Sequence, residues 1–485
     1  MKKHNLILLA DGYKYSHHKL YTPGTQHVYS YLESRGGKFD HTVFYGLQYF
    51  IKEYLEKQAI TQADLDEAKA LMPQVFGRDD VFDASKFQYI IDEHNGYLPV
   101  RIRAVREGAV VPTSNILLSI ENTDPNCYWL TNFLETLIMQ LWYPNTVATI
   151  SHEVRKLLLS FYKDTATEGS EQGIDFVLND FGFRGVSSVE SAGLGGSAHL
   201  LSFDGSDTIA ASVLARKYYG AQGMPGKSVP ATEHSICTML GKKGELDIFK
   251  HVLDSFSNGT IACVSDSYDI FKACSEYWGG ILKEQVESRD GCLVIRPDSG
   301  DPVQTLLTIF KILFEKFGFN ENEKGYRVLP KSIRVLQGDG VNYDSIKDIL
   351  TALKAHRISA ENLVLGMGGA LLQKLDRDTQ KFALKCAHAR INDQEVDVFK
   401  SPLEMNEEGI ISESFKKSKA GKLMLVERNG NLQTIRREEC NNEEDLLQTV
   451  FENGHLLKEW TFEEVSDYLR KQAYTSVNQT EELPC

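Results

Sequence analysis

The stretch CLVIRPDSGDPVQTLLTIFKILFEKFG, residues 292–318, contains a strand, a loop and a helix in immediate succession. Its first four residues form a short apolar run, which is typical of a buried strand. The polar segment RPDSGDP ends that run, and apolar residues then return at the three- and four-residue spacing of an amphipathic helix. Because parallel strands need a crossover connection, a strand followed directly by a helix indicates a parallel sheet.

Further segments of the chain repeat this pattern, about 30 to 40 residues apart, each with a short apolar strand, a polar or glycine-containing loop and a helix. The repetition predicts an α/β protein in which an irregular β/α barrel is favoured over an open sheet. The regular units begin at TIACVSDSYD (260–269), IRVLQGDG (333–340) and LVLGMGG (363–369), and IDFVLNDFGFRG (174–185) is a less regular one.

The pattern differs at both ends of the chain. Before about residue 140, strands such as HVYSYLES (27–34) alternate with a strongly apolar helical stretch at 127–144, and the run at 6–10 predicts a strand. After residue 380, KLMLVERNGNLQTI (422–435) predicts a β-hairpin, because Asn429-Gly430 supplies the positive φ angles of a tight turn. The polar tail from residue 473 is expected to be loose.

The composition restricts the class of protein. The 485 residues carry a formal net charge of −14, which argues against nonspecific binding to nucleic acid or to anionic membranes. No apolar run is long enough to cross a bilayer. The eight cysteines form no CxxC pair and no metal-ligand spacing, so we expect reduced thiols and a cytoplasmic protein.

Polar residues cluster just after the predicted strands, where a barrel gathers its catalytic groups on one rim. Asp266, Asp298 and Asp339 could bind magnesium, hold sugar hydroxyls or orient a base, although any one of them could simply be a helix N-cap. The loops GDG (338–340) and GMGG (366–369) favour phosphate binding through backbone amides, with tight turns as the alternative.

Other motifs leave their alternatives open. GLGGSA (193–198) matches a dinucleotide fingerprint but follows no buried strand, so close helix packing is the better interpretation. His234 in PATEHS (230–235) could be a loop histidine beside Glu233. Lys385 lies in an apolar strand and could point outward, form a Schiff base or meet a phosphate. No histidine cluster has zinc-site spacing, so we predict no metal held by protein ligands alone.

Nine segments in order along the chain resemble the nicotinamide phosphoribosyltransferases, in their bacterial-type form, within the type II phosphoribosyltransferase family. The resemblance covers about residues 6–470, and motifs of this length and number are highly specific. The segments are DGYKYSHHKLYTPGT (11–25), FYGLQY (44–49), ENTDPNCYWLTNFLET (121–136), DFGFRGVSS (180–188), PATEHS (230–235), VSDSYDI (264–270), IRPDSGDP (295–302), QGDGVN (337–342) and GGALLQKLDRD (368–378).

The resemblance implies a reaction. The ring nitrogen of nicotinamide attacks the anomeric carbon of phosphoribosyl pyrophosphate, which gives nicotinamide mononucleotide and pyrophosphate. It further implies magnesium as cofactor, ATP as co-substrate through a phosphohistidine, and a homodimer with active sites at its interface. The implied domains are a barrel at 141–379 that carries the active site, and an α/β domain with the dimer contacts, built from 1–140 and 380–485.

The resemblance also implies a role for each matching residue. Phe181, with Tyr13 from a second subunit, would stack on nicotinamide, and Asp207 would accept from its carboxamide. His234 would carry phosphate, with Asp266 holding its other ring nitrogen. The remaining matches are Arg184 and Arg296 near the ring and pyrophosphate, Asp298 at the ribose, Gly338, Asp339, Gly368 and Gly369 at the ribose and 5′-phosphate, and Arg377, Lys385, Arg35 and Lys400 as basic phosphate contacts.

Three other functions are weighed against this one. A nicotinate phosphoribosyltransferase would share the fold and the chemistry, and Asp207 argues against it because a carboxylate repels nicotinate. A barrel aldolase would use Lys385 as a Schiff base. A non-catalytic protein with a vestigial site would be expected to have lost some of these charged residues.

Overall fold

The computed structural model describes residues 4–405, 411–413 and 417–479. The chain divides into two compact units and passes between them three times. Two of the crossings fall within the helices Trp142–Thr165 and Phe462–Gln479, and the third falls between Leu375 and Asp376. The first unit comprises Met1–Thr149 and Asp376–Val465, and the second comprises Ile150–Leu375 and Ser466–Cys485.

The second unit is built on a five-stranded sheet in which every neighbouring pair is parallel. Four of its strands are those of the predicted regular units, and the fifth comes from the less regular segment. In sheet order the strands are Leu178–Asp180, Leu363–Met367, Ile333–Gln337, Asp290–Arg296 and Asn258–Val264.

Two irregular segments, at 205–206 and 227–231, lie between the two edge strands of this sheet. They pair with those strands and with each other through single parallel bridges rather than through full strands, which makes the barrel irregular, as predicted. The bridges link Asp180 with Ser206, Gly205 with Lys227, and Ala231 with Ala262.

The helices that follow the strands begin where nearby side chains cap them. In the opening stretch, the Asp301 side chain accepts a hydrogen bond from Gln304 N and Pro302 occupies the first turn, so the helix begins there. Its apolar face, which includes Leu306 and Phe310, is buried.

Besides the two helices that cross between the units, the second unit contains five longer helices and nine shorter helical segments among the described residues. The longer helices are Val189–Leu200, Ile209–Tyr219, Glu245–Ser255, Pro302–Phe317 and Tyr343–Ala355. The shorter segments are Ser170–Phe176, Phe183–Gly185, His234–Cys237, Lys242–Gly244, Ile270–Lys272, Ala273–Ile281, Lys283–Ser288, Ala360–Asn362 and Gly369–Leu372.

The glycine-rich motif GLGGSA lies inside the helix Val189–Leu200, which packs against Ile209–Tyr219. A Cβ on Gly196 would lie 2.7 Å from the Ala211 Cβ and 3.1 Å from Asp180 Oδ2. The interpretation as a close-packing motif is therefore confirmed, because a side chain at this position has no room.

The first unit contains a seven-stranded antiparallel sheet made from both chain ends. Thr25–Ser34 pairs with Phe382–Ile391 on one side and with Ile116–Asn122 on the other, which confirms the predicted second α/β domain. The sheet order is Gln394–Asp397, Phe382–Ile391, Thr25–Ser34, Ile116–Asn122, Val100–Ala104, Gln448–Glu452 and His455–Leu456.

Smaller strand pairs and helices complete the two units. The predicted hairpin is confirmed as Leu423–Arg428 with Asn431–Arg436, and its turn residues Asn429 and Gly430 have φ of 54° and 76°. The other pairs are His41–Val43 with Val110–Pro112, Asn320–Glu321 with Arg327–Val328, and Leu403–Met405 with Ile411–Glu413. The helical segments of the first unit include Gly12–Ser16, His17–Leu20, Leu47–Phe50, Ile51–Leu55, Gln62–Phe76 and Ala84–His94.

Three local predictions are wrong. The run at 6–10 contains a short helix, Leu6–Leu8, because the Asn5 side chain accepts from Ile7 N and starts a turn. The apolar stretch at 127–144 is broken into short helices before Trp142–Thr165 begins. The tail stays helical to Gln479, where the described residues end, so Cys485 lies outside them.

The seven cysteines that the structure describes are free thiols. Along the described part of the chain, no helix combines the length and the apolar character that crossing a membrane requires.

We expect Gly196→Val to lower the free energy of unfolding by about 1–3 kcal/mol, because the new side chain collides with the neighbouring helix. Urea denaturation measures this change. Gly173→Val is the matched control, since a Cβ there meets nothing within 4 Å, and we expect an effect of at most about 0.5 kcal/mol. Equal effects of the two substitutions would contradict the packing role of Gly196.

Candidate active site

One cavity of about 870 Å³ lies where the parallel strands end. The strands deliver the residues that follow their last positions to this cavity, as expected for the carboxyl edge of a parallel sheet. Nine of the predicted site residues line it: Phe181, Arg184, Asp207, His234, Arg296, Asp298, Gly338, Asp339 and Gly368.

Phe181 forms one wall of the cavity. Its backbone N–H donates to the carbonyl of Met367 at 3.0 Å, which fixes the start of the loop. Its ring packs directly on Gly366, where an added Cβ would overlap the ring carbon Cε2. The guanidinium of Arg296 lies 5.4 Å from the ring centroid, in cation–π range. A flat aromatic surface is thus held beside a fixed positive charge.

Arg296 is oriented by the acid two residues further on. Its Nε and Nη2 donate to Asp298 Oδ1 at 3.2 and 2.8 Å. A Cβ on Gly338 would lie only 3.3 Å from Nε, so the glycine of the GDG loop leaves the space that the guanidinium occupies. The arginine is therefore oriented by both its acid and its aromatic neighbour.

His234 is paired with an acid that is distant in sequence. Its Nε2 lies 3.2 Å from Asp266 Oδ1, whereas the neighbouring Glu233 accepts a hydrogen bond from Ser235. His234 is half-exposed and Asp266 is buried, with side-chain exposures of 49% and 4%. With Nε2 donating to the carboxylate, Nδ1 keeps its lone pair and can act as a nucleophile.

The carboxylate of Asp266 is itself held rigidly. Its second oxygen, Oδ2, accepts from the backbone N–H of Asp298 at 2.9 Å and from the Ser299 hydroxyl at 2.7 Å. Sequence reasoning missed Ser299, although its position directly after Asp298 in RPDSGDP was the available signal. The segment 298–299 therefore connects the acid of the histidine pair with the acid that orients Arg296.

Asp207 directly follows Ser206, which forms a single parallel bridge with Asp180. Its backbone N–H donates to the carbonyl of Asp180 at 2.9 Å, and its carboxylate accepts a hydrogen bond from Ser228. Asp180 is completely buried, and that burial raises the pKa of its carboxyl group to about 6. Two acidic side chains therefore lie close together near the Phe181 wall.

A second cavity, of about 440 Å³, extends the site with apolar walls. It shares Phe181, Asp207 and Arg296 with the first cavity. The alternation of side chains along the strands supplies its lining, because every second residue points to the same face of a sheet. Sequence reasoning missed this cavity, because within one strand the residues that line a cavity and the residues that fill a core have the same apolar pattern. The apolar lining includes Ala262, Val264, Val294, Leu336 and Val364.

The five remaining basic and aromatic candidates belong to the first unit. Tyr13 and Lys385 line a cavity of about 530 Å³ there. Burial lowers the pKa of the Lys385 ammonium group, and the positive charges of Arg35, Lys400 and Arg377 lower it further. Lys385 is thus close enough to three other predicted phosphate contacts to be affected by their positive charges. Gly369 begins the short helix Gly369–Leu372 in the second unit.

One trio in the first unit has the arrangement of metal ligands. His94, Asp124 and Cys127 each bring one ligand atom within 4.8 Å of the others. The same Asp124 oxygen accepts from His94 Nε2 at 2.8 Å and from the Tyr89 hydroxyl at 2.9 Å, and burial raises the pKa of Cys127 to about 12. A protonated thiol is a poor ligand, so these contacts are explained as a hydrogen-bond network. The absence of a metal held by protein ligands alone stays a prediction.

The barrel architecture places the chain in a known structural class. The fold is similar to nicotinate-nucleotide pyrophosphorylase from Pyrococcus furiosus, with a TM-score of 0.57 at 15% identity over 96% of this chain and 94% of that one. It is also similar to human nicotinic acid phosphoribosyltransferase, with a TM-score of 0.54 at 16% identity, again over 96% and 94% of the two chains. The fold is that of the type II phosphoribosyltransferases.

Sequence comparison narrows the class to a family. Residues 176–455 match the nicotinate phosphoribosyltransferase (NAPRTase) family, and residues 5–102 match the nicotinamide phosphoribosyltransferase N-terminal domain. The chain is 44% identical to a nicotinamide phosphoribosyltransferase of Xanthomonas campestris pv. campestris (strain 8004), over 95% of this chain and 97% of that protein. It is 31% identical to one of Acinetobacter baylyi (strain ATCC 33305 / BD413 / ADP1), over 96% and 97%. The chain belongs to the nicotinamide phosphoribosyltransferase family and is a phosphoribosyltransferase.

We expect Gly366→Ala to reduce phosphoribosyltransferase activity by at least about tenfold, because the new methyl group displaces the Phe181 ring from the cavity wall. Initial rates should be measured below the melting temperatures of both proteins. Gly185→Ala, in the same loop region, is the control: a Cβ there is 3.8 Å from its nearest neighbour, so the rate should be unchanged. A Gly366→Ala variant within twofold of wild type would refute the role of this contact.

Proposed function

We propose that the enzyme transfers the phosphoribosyl group of phosphoribosyl pyrophosphate to nicotinamide, forming nicotinamide mononucleotide and pyrophosphate in NAD salvage. The observation that carries this proposal is the Asp207 carboxylate in the cavity that Phe181 and Arg296 line. The neutral carboxamide of nicotinamide offers N–H donors to such an acceptor. The carboxylate of nicotinate would instead meet a like charge there, and that repulsion disfavours it.

The reaction requires positioning and charge stabilisation more than covalent catalysis by the protein. In our proposal Phe181 stacks on the pyridine ring and holds its nitrogen toward the anomeric carbon. Arg184 and Arg296 offset the charge of the departing pyrophosphate. Asp298 holds the ribose hydroxyls, and Gly338, Asp339, Gly368 and Gly369 surround the ribose and the 5′-phosphate with backbone amides.

We further propose that ATP hydrolysis is coupled to this transfer through His234. Nδ1 would attack the γ-phosphorus of ATP, so that a nitrogen–phosphorus bond forms as ADP leaves. The support is the pairing of Nε2 with Asp266, because a histidine that accepts a phosphoryl group on one nitrogen needs the other held as a donor. The buried carboxylate stabilises the positive charge that the ring develops in that step.

Magnesium is proposed to accompany the diphosphate. This ion keeps several waters and usually takes one or two protein carboxylates together with substrate phosphates. Asp298 and Asp339 both line the cavity, so they are the side chains that would hold it. When bound, it would offset the negative charge of the pyrophosphate.

We propose a homodimer in which Tyr13 and Arg377 of one subunit complete the active site of the other, with Lys385, Arg35 and Lys400 contributing to phosphate binding. The positive charges of Arg35, Lys400 and Arg377 that act on Lys385 support a role of these residues in binding a polyanion, which would offset them. A cytoplasmic location is proposed from the free thiols.

The alternatives are less well supported. An aldolase would need its Schiff-base lysine on a barrel strand, whereas Lys385 lies on the antiparallel strand Phe382–Ile391 of the first unit. A nicotinate phosphoribosyltransferase shares the fold, and the acceptor preference is what distinguishes it.

We expect Asp207→Asn to reduce the preference for nicotinamide over nicotinate on the order of tenfold, because a charge-assisted hydrogen bond becomes a neutral one and the repulsion of nicotinate is lost. The ratio of kcat/KM values for the two acceptors measures the preference. Glu233→Gln removes another acid of the same cavity and should leave the ratio unchanged. Equal or better use of nicotinate by the wild-type enzyme would exclude the proposed function.

We expect His234→Ala to abolish the dependence of mononucleotide formation on ATP and to leave no radiolabel on the protein after incubation with γ-labelled ATP. Product analysis with nicotinamide, phosphoribosyl pyrophosphate and magnesium, with and without ATP, tests this. Glu233→Gln should keep the label, because its side chain is bound to Ser235 rather than to the histidine. Label retained by His234→Ala would rule out His234 as the phosphate carrier.

A further inference from the structure

Asp180 is the last residue of the strand Leu178–Asp180, and its side chain is completely buried. Buried carboxylates are costly and need a compensating role. Here the carboxylate oxygen Oδ1 accepts from the backbone N–H of Gly182 at 2.7 Å. This hydrogen bond closes the turn that carries Phe181, so the acid determines the position of the aromatic wall.

The same residue is connected to the segment of Asp207. The backbone N–H of Asp207 donates to the Asp180 carbonyl at 2.9 Å, and Asp180 N donates to Gly205 O at 3.1 Å. The hydroxyls of Thr208 and Ser206, on either side of Asp207, lower the pKa of the Asp180 carboxyl group, although its oxygen Oδ2 accepts no hydrogen bond from the described residues. Asp180 is therefore joined by hydrogen bonds to both segments that we assign to the pyridine.

The charge of this carboxyl group also bears on the site. Burial raises its pKa to about 6, and the Asp207 charge contributes to that rise. Above that pH the group is ionised, so two negative charges lie next to the pyridine site. An asparagine would supply the same acceptor to Gly182 at less cost, since a neutral amide is easier to bury. The acid at this position therefore places a charge next to the pyridine site that an asparagine would lack.

We propose that Asp180 is a positioning and specificity residue, which fixes Phe181 and Asp207 relative to each other and adds to the repulsion of anionic pyridines. This inference rests on the proposed function for the identity of the acceptor. The hydrogen bond to Gly182 N fixes the ring wall, and the buried charge beside Asp207 disfavours a carboxylate substituent on the ring.

Two variants distinguish the effect of the hydrogen bond from Gly182 N to Asp180 from the effect of the carboxylate charge. Asp180→Ala removes both, and we expect the KM for nicotinamide to rise at least about tenfold while the KM for phosphoribosyl pyrophosphate stays within about twofold. Asp180→Asn keeps an oxygen for Gly182 N, so at pH 8 it should return the KM for nicotinamide to within about threefold of wild type. It should still lower the preference for nicotinamide over nicotinate, because the charge is gone.

Val177→Ala is the control for general loosening around the strand, since it creates a cavity three residues before Asp180, next to the start of the strand, and leaves the carboxylate in place. It should change neither the KM for nicotinamide nor the preference. The proposal is overturned if Asp180→Ala resembles Val177→Ala, or if it raises both KM values equally. An unchanged preference in Asp180→Asn would overturn the role of the charge.

Amide hydrogen exchange of residues 181–186 tests the positioning without any substrate. Asp180→Ala should accelerate exchange of the Gly182 amide at least about tenfold, and Asp180→Asn should not. Unchanged exchange in Asp180→Ala would overturn the positioning role. If the wild-type enzyme used neither pyridine, the proposed function would fail, while accelerated exchange would still support the positioning role of Asp180.

Discussion

The site depends on the parallel direction of five neighbouring strands. Parallel hydrogen bonding places the carboxyl ends of all the strands on one edge, so the residues at the end of each strand and just after it reach the same rim. Phe181, Arg296, Gly338 and Gly368 are up to 187 positions apart in the chain (368 − 181) and still line one cavity. An antiparallel arrangement would send alternate loops to opposite edges and divide this set.

An acidic protein can hold a polyanion because its charges are locally arranged. Arg296 is held by Asp298 and lies over the Phe181 ring, so its guanidinium is oriented by the protein itself. Asp266 is held by Asp298 N and the Ser299 hydroxyl, which leaves its other oxygen for His234. Such preorganised groups lose little freedom when a ligand binds, and that is how a site of this kind stabilises developing charge.

Much of this arrangement could be predicted from the sequence. The βα units, the hairpin at Asn429-Gly430 and the barrel class follow from local patterns and were confirmed. The apolar stretch at 127–144 and the run at 6–10 were assigned wrongly, because side-chain contacts such as that of Asn5 override periodicity. The apolar cavity behind Phe181 was missed, since residues lining a cavity and residues filling a core have the same pattern in one strand.

The sequence by itself determined the regular βα units and their loops, and so which residues could reach one rim. The resemblance already implied that His234 pairs with Asp266 rather than with its neighbour Glu233, and these two side chains lie together in the structure. Only the tertiary structure decided the other partners on that rim, such as Asp180, which joins the turn of Phe181 to the segment of Asp207. The physical reason is that strand and helix periodicity is set by neighbours in the chain, whereas a hydrogen bond across the barrel depends on sheet register and on what else occupies the space.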